Sequence, residues 1–148
     1  MEARTLQAES DFAEFVAAFE RGELPRPMWT HGAHVAIAAL YLQRHGDNVL
    51  AMTRAAIRRH NRSVGTPENA YHETLTIFWL AAVDEFLRSV EYGSELEAVR
   101  LAVEQFGDRR KLHEEYYSFD VIGSSEARAG WVGPDVQALK IRFILTPY

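Results

Sequence analysis

The chain contains no cysteine. Disulfide scaffolds, thiolate zinc sites and cysteine nucleophiles are therefore excluded. No stretch approaches the roughly 20 apolar residues of a membrane-spanning helix; the longest apolar runs lie around Val35–Leu42 and Ile77–Val83. The start, MEARTLQAESDF, lacks the basic segment and apolar run of a secretory leader, so the expected location is cytoplasmic. Basic charge is in deficit: 16 Lys and Arg against 21 Asp and Glu give a net charge of −5. That balance argues against a general nucleic-acid binder. The chain has no G-x-S-x-G elbow and no glycine-rich phosphate loop, its nine glycines being scattered.

What is present reads as one ordinary globular domain spanning residues 1–148, with 47% hydrophobic and 25% charged residues. Helical spacing dominates. Phe12, Phe15, Val16 and Phe19 form an i, i+3, i+4, i+7 stripe behind a Ser10 cap, and Gly22 and the GELPRP link end that helix. Thr30 is placed to cap a second helix, apolar on nearly every side from Val35 to Leu42 and stopping near Gly46. A third helix follows an Asp47 or Asn48 cap, with Val49, Met52, Ala56 and His60 on one face, Leu50 and Ile57 beside them, and Arg54, Arg58 and Arg62 on the opposite face, read as solvated surface.

After Val64-Gly65-Thr66-Pro67, a fourth helix is predicted from Glu68 or Asn69 to about Val90, with His72, Leu75, Trp79, Ala82 and Phe86 inward. A fifth covers about 95–106 behind Ser94, and a short sixth 109–117. A helical turn over Ser125–Ala129 and a weak strand signal in LKIRFIL complete the reading. The fold class is all-α: a bundle of about five to six helices with an irregular C-terminal segment.

Chemistry-bearing residues gather in two segments, WTHGAH and YHET. His31 and His34 stand three apart on one side of a helical turn, and His72 belongs to the apolar row of the fourth helix. If helix three runs back between helices two and four, the starts of the latter two meet and the three imidazoles converge. Three neutral imidazoles suit a divalent transition metal such as zinc, iron or nickel. Glu73 is the candidate catalytic base or further ligand, and Tyr71, Thr76 and Trp79 are candidate pocket residues. The opposing reading makes His34 and His72 a buried structural pair and Trp79 core. His45 and His60 read as helix C-terminal residues favoured by the dipole, and His113 as surface. HETLT lacks the second histidine of an H-E-x-x-H metalloprotease helix, Thr76 standing in its place. Three functions remain open: a metal-dependent enzyme acting on a small molecule, a non-catalytic small-ligand-binding protein, and a structural or oligomer-forming domain. A small molecule is the expected partner, with no nucleic acid or membrane, and the apolar tail makes a homodimer reasonable.

The order WTHGAHVAIAALYL, RRHNRSVG, YHETLTIFWL and the late Trp131-Val132-Gly133-Pro134-Asp135 resembles a family of small bacterial helical proteins of unassigned function. The resemblance covers most of the chain. It implies that His31, His34, His72 and Glu73 are motif positions and that Trp131 and Asp135 fold back toward them; it brings no substrate. A more distant, architectural likeness is to metal-binding four-helix bundles with three histidine ligands, the DinB-like proteins, whose histidine spacing differs.

Overall fold

The structure, a computed structural model, describes residues 1 and 3–147. It is all-α among those residues: five helices of 12 to 16 residues, a one-turn sixth helix and short 3-10 turns. The helices are α1 (Glu9–Glu20), α2 (His31–His45), α3 (Val49–Ser63), α4 (Glu73–Arg88), α5 (Glu95–Phe106) and α6 (Ser125–Ala129). No helix is long and apolar enough to cross a membrane.

Alpha-2 is the axis of the bundle. Nine of its residues between Gly32 and Tyr41 are buried, and it packs on α3, α4 and α5. An apolar surface on every side needs neighbours on every side, as the sequence requires. Thr30 caps α2 by accepting the Ala33 N–H at 3.2 Å, and Gly46, at φ +52°, takes the left-handed exit that a side chain would oppose. Alpha-1 buries its predicted stripe of Phe12, Phe15, Val16 and Phe19. Ser94 caps α5 through the Glu97 N–H at 3.1 Å.

Several expectations are corrected. Alpha-1 begins at Glu9, so Ser10 sits within its first turn instead of capping it. Neither Asp47 nor Asn48 caps α3; a 3-10 turn over Gly46–Asn48 runs straight into it. The buried stripe of α3 is Val49, Leu50, Thr53, Ala56, Ile57 and His60, while Met52 is 44% exposed. Alpha-4 starts at Glu73, because Pro67 opens only a single 3-10 turn (Glu68–Ala70) before the chain extends through Tyr71 and His72. The predicted sixth helix over 109–117 shrinks to a 3-10 turn, Leu112–Glu115. LKIRFIL forms no strand among the described residues. Its alternation still has a physical meaning, since Phe143 is buried and Leu139 and Ile141 pack beside it on the bundle core.

Candidate functional site

The up-down-up course of α2, α3 and α4 gathers the start of α2, the C-terminal half of α3 and the start of α4 around one cavity of about 550 Å³. His31 and His34 come from α2, Thr53, Ile57 and His60 from α3, and Leu75, Thr76 and Trp79 from α4. His72, Tyr71, Trp29 and His113 complete most of the wall, so five of the six histidines line it. Such a volume is typical of small-molecule pockets, which run from about 300 to 1,000 Å³.

Trp29 organises one side. It occupies the position before the Thr30 cap, and its ring lies 4.0 Å from that of His34, four residues past the cap. This is a hydrophobic staple with an imidazole in place of the usual apolar partner. The same indole stacks on Phe19 at 4.5 Å and meets His60 at 5.2 Å. On the other side, Trp79 presents its edge to His31 at 4.6 Å, and the His31 Nε2–H donates to the Phe106 carbonyl at 3.0 Å. The Nδ1 of His31 is then the lone-pair side of the ring.

His34 has more than a third of its surface accessible, yet burial, with His31 and His60 nearby, holds its pKa down at about 3. His34 is one of the residues that line the cavity, where a side chain can be accessible and still surrounded by protein atoms. No hydrogen bond reaches its ring nitrogens among the described residues. His60 is 1% exposed, and burial lowers its pKa. The dipole expectation for His60 is thus overturned: desolvation outweighs the helix C-terminus, and the ring is neutral. His113, read as surface, is 4% exposed because the 3-10 turn carries Leu112 and His113 inward together.

Four buried side-chain polar atoms lack a partner among the described residues: Thr53 Oγ1, His60 Nδ1, His60 Nε2 and His113 Nδ1. All four belong to residues that line this cavity. An unmatched buried polar atom costs about 1–3 kcal/mol. Four of them represent a burden comparable to the whole stability of a small domain, about 5–15 kcal/mol, if they stay dry. All four lie in side chains of one wall, the atoms themselves turned away from the open space.

The YHET segment behaves differently. His72 caps α4: its Nδ1 accepts the Leu75 N–H at 3.1 Å while its Nε2–H donates to the Val121 carbonyl at 2.9 Å. Both nitrogens are engaged and the tautomer is fixed. Burial lowers its pKa, opposed by the Val121 carbonyl. Glu73 is 2% exposed and lies outside the cavity lining. Its carboxylate forms a two-point ion pair with Arg54, whose Nε lies 3.1 Å from Oε1, and accepts the Tyr71 hydroxyl at 2.7 Å. Arg54, expected on a solvated face, also donates to the Thr146 and Pro147 carbonyls at 2.9 and 3.1 Å. Thr74 donates to the Gly130 carbonyl at 2.6 Å and accepts the Val132 N–H at 3.0 Å. The motif thus ties the whole irregular C-terminal third to the bundle. Trp131 packs on the core within that segment, and Asp135 caps Ser118, accepting its N–H at 2.9 Å.

The structure brings His31, His34, His72, Tyr71, Thr76 and Trp79 to one cavity and keeps Glu73 out of it. It does not arrange the three histidines as a ligand set: no group of three His, Asp or Glu among the described residues takes a metal-holding arrangement. His72 could join a metal's ligand set only by abandoning its cap or the Val121 carbonyl. Thr76 uses its hydroxyl to bond back to the His72 carbonyl at 2.9 Å. Sequence reasoning missed Thr53, His60 and His113. For the first two the signal was available: Thr53, Ile57 and His60 stand at i, i+4 and i+7, two polar residues inside an apolar stripe. Comparison with family models, curated proteins and solved structures returns no match.

Proposed function

We propose that this protein binds a small organic molecule in the histidine-lined cavity, without a metal. The observation that carries the reading is a chamber of about 550 Å³ walled by apolar and aromatic side chains, including Trp29 and Trp79, together with five histidines, of which His34 is accessible in the wall. A ligand with an apolar body and a few polar atoms answers both features at once. Trp29, Trp79, Ile57, Leu75 and Leu80 supply the apolar wall. Neutral imidazoles supply donors and acceptors that rotate little, because each ring is wedged against an aromatic neighbour or fixed by a hydrogen bond.

His34, accessible in the cavity wall and with no hydrogen bond to its ring among the described residues, is the group best placed to orient such a molecule. A neutral imidazole presents one N–H and one lone pair, so a ligand carrying adjacent donor and acceptor atoms matches it. Any turnover would draw on the same neutral rings as proton acceptors.

The test uses indole as a probe sized to lie between the two tryptophans, with calorimetry on the wild type and on Ala38→Phe. Ala38 is a buried cavity-wall residue one turn beyond His34, where a phenyl ring fills the space. Saturable one-to-one binding by the wild type, lost in a folded Ala38→Phe, is expected. Absence of binding to the wild type, or equal binding to both proteins, would overturn the reading.

A further inference from the structure

Resting on that reading, we infer that the ligand is a small aromatic anion whose body lies between Trp29 and Trp79 and whose acid group stays at the cavity mouth, held by Arg26 and Arg110. The chain as a whole is acidic, at −5. The cavity wall reverses that balance: it contains two arginines and not one Asp or Glu. Both arginines are exposed, so they stand where the chamber meets solvent. Neither guanidinium has a hydrogen bond or ion pair among the described residues, whereas Arg21, Arg44, Arg54, Arg88 and Arg142 are each bonded to a carboxylate. Arg110 lies close enough to His31 to disfavour its protonation.

The interior adds a constraint on where the charge sits. Its polar groups are imidazoles, hydroxyls and an amide, with no buried counter-ion for either sign. A charge carried to the bottom of the chamber would be desolvated without a partner, which is costly. At the mouth an acid group keeps part of its water and gains planar, forked donors that match a carboxylate. A cationic ligand has aromatic faces to attract it, but it would have to pass two guanidiniums and find no carboxylate. The aromatic body follows from the wall, where two indoles and several imidazoles line the space.

The experiment compares three probes by calorimetry at low salt: indole-3-carboxylate, its neutral isostere indole-3-carboxamide, and the cation tryptamine. Indole itself serves as the uncharged reference. The carboxylate is expected to bind about tenfold more tightly than the carboxamide, a gap set by charge-assisted hydrogen bonds. That gap should shrink at high salt and close in Arg26→Met/Arg110→Met, whose substitutions lie on the surface and whose fold is checked by thermal denaturation. Binding of the carboxylate no tighter than the carboxamide overturns the inference, as does an advantage that survives removal of both arginines. If indole binds while the carboxylate shows no preference, the cavity reading stands and the charge assignment alone falls. If none of the four probes binds, both fall.

Discussion

WTHGAH and YHET place the same kinds of residue at the starts of two neighbouring helices and put them to opposite uses. In YHET every polar side chain is committed: His72 to a helix end and a carbonyl, Glu73 to Arg54 and Tyr71, and Thr74 to two backbone groups; just beyond it, Thr76 bonds to the His72 carbonyl. Around WTHGAH the rings of His34 and His60 pack against Trp29, and no hydrogen bond among the described residues reaches their nitrogens. One segment is a clasp and the other a lining. A committed polar group contributes stability, whereas an uncommitted buried one costs it.

This contrast can be broken most forcefully at the clasp. Glu73→Ala strips a buried partner from Arg54, whose side chain is 11% exposed. A loss of about 3–5 kcal/mol in urea denaturation is expected, because an uncompensated buried charge remains. Replacing both residues, as in Arg54→Met/Glu73→Met, should recover much of that loss. A Glu73→Ala protein within 1 kcal/mol of wild type, on the order of a surface substitution, would mean that the clasp is ornamental.

His72→Ala removes a helix cap and a bond to Val121, and should cost about 2–3 kcal/mol. His72→Asn, which can still cap, should restore roughly half. If Asn is no better than Ala, the capping account of His72 is wrong.

His60→Phe sharpens the comparison from the other side. It deletes two unpartnered nitrogens from the wall while conserving most of the volume. Stability should change by less than about 1 kcal/mol in either direction, while indole binding weakens. A large loss of stability would show that His60 is structural.

The smallest effect concerns pH. His31, His34, His60 and His72 all have lowered pKa values in the folded protein, with burial the leading cause. As pH falls below about 6.5, the unfolded chain binds protons that the folded chain refuses, so folding stability declines with acidification. The decline for His34 continues down to about pH 3. Thermal denaturation between pH 7 and pH 5 should show a falling Tm, with a shallower fall in His34→Phe/His60→Phe. An unchanged slope in that variant would contradict the neutrality of the lining.

Much of the fold was legible because it follows from periodicity. The Phe stripe of α1, the all-round apolar surface of α2 and the Ser94 cap of α5 state their positions directly. The start of α4 was not legible in the same way, since an imidazole is an uncommon cap and only the accepting Nδ1 reveals it. The convergence of His31, His34 and His72 was readable from helix order, but the commitment of His72 depends on Val121, 49 residues away. His113 was hidden by its charged neighbours in KLHEEYY, because a 3-10 turn does not follow the helical spacing used to judge it. Glu73 looked catalytic for the reason it is structural: a carboxylate beside aromatic and apolar residues needs a partner, and Arg54 was assigned to the opposite, solvated face.

The division between clasp and lining is tested most directly by long-range proton–nitrogen NMR of the imidazoles, recorded with and without indole. His72 should show a fixed Nε2–H tautomer that does not respond to the probe, while the ring nitrogens of His34 and His60 shift on its addition. A His72 that moves as far as they do, or a silent His34 and His60 in the presence of bound indole, would contradict the account.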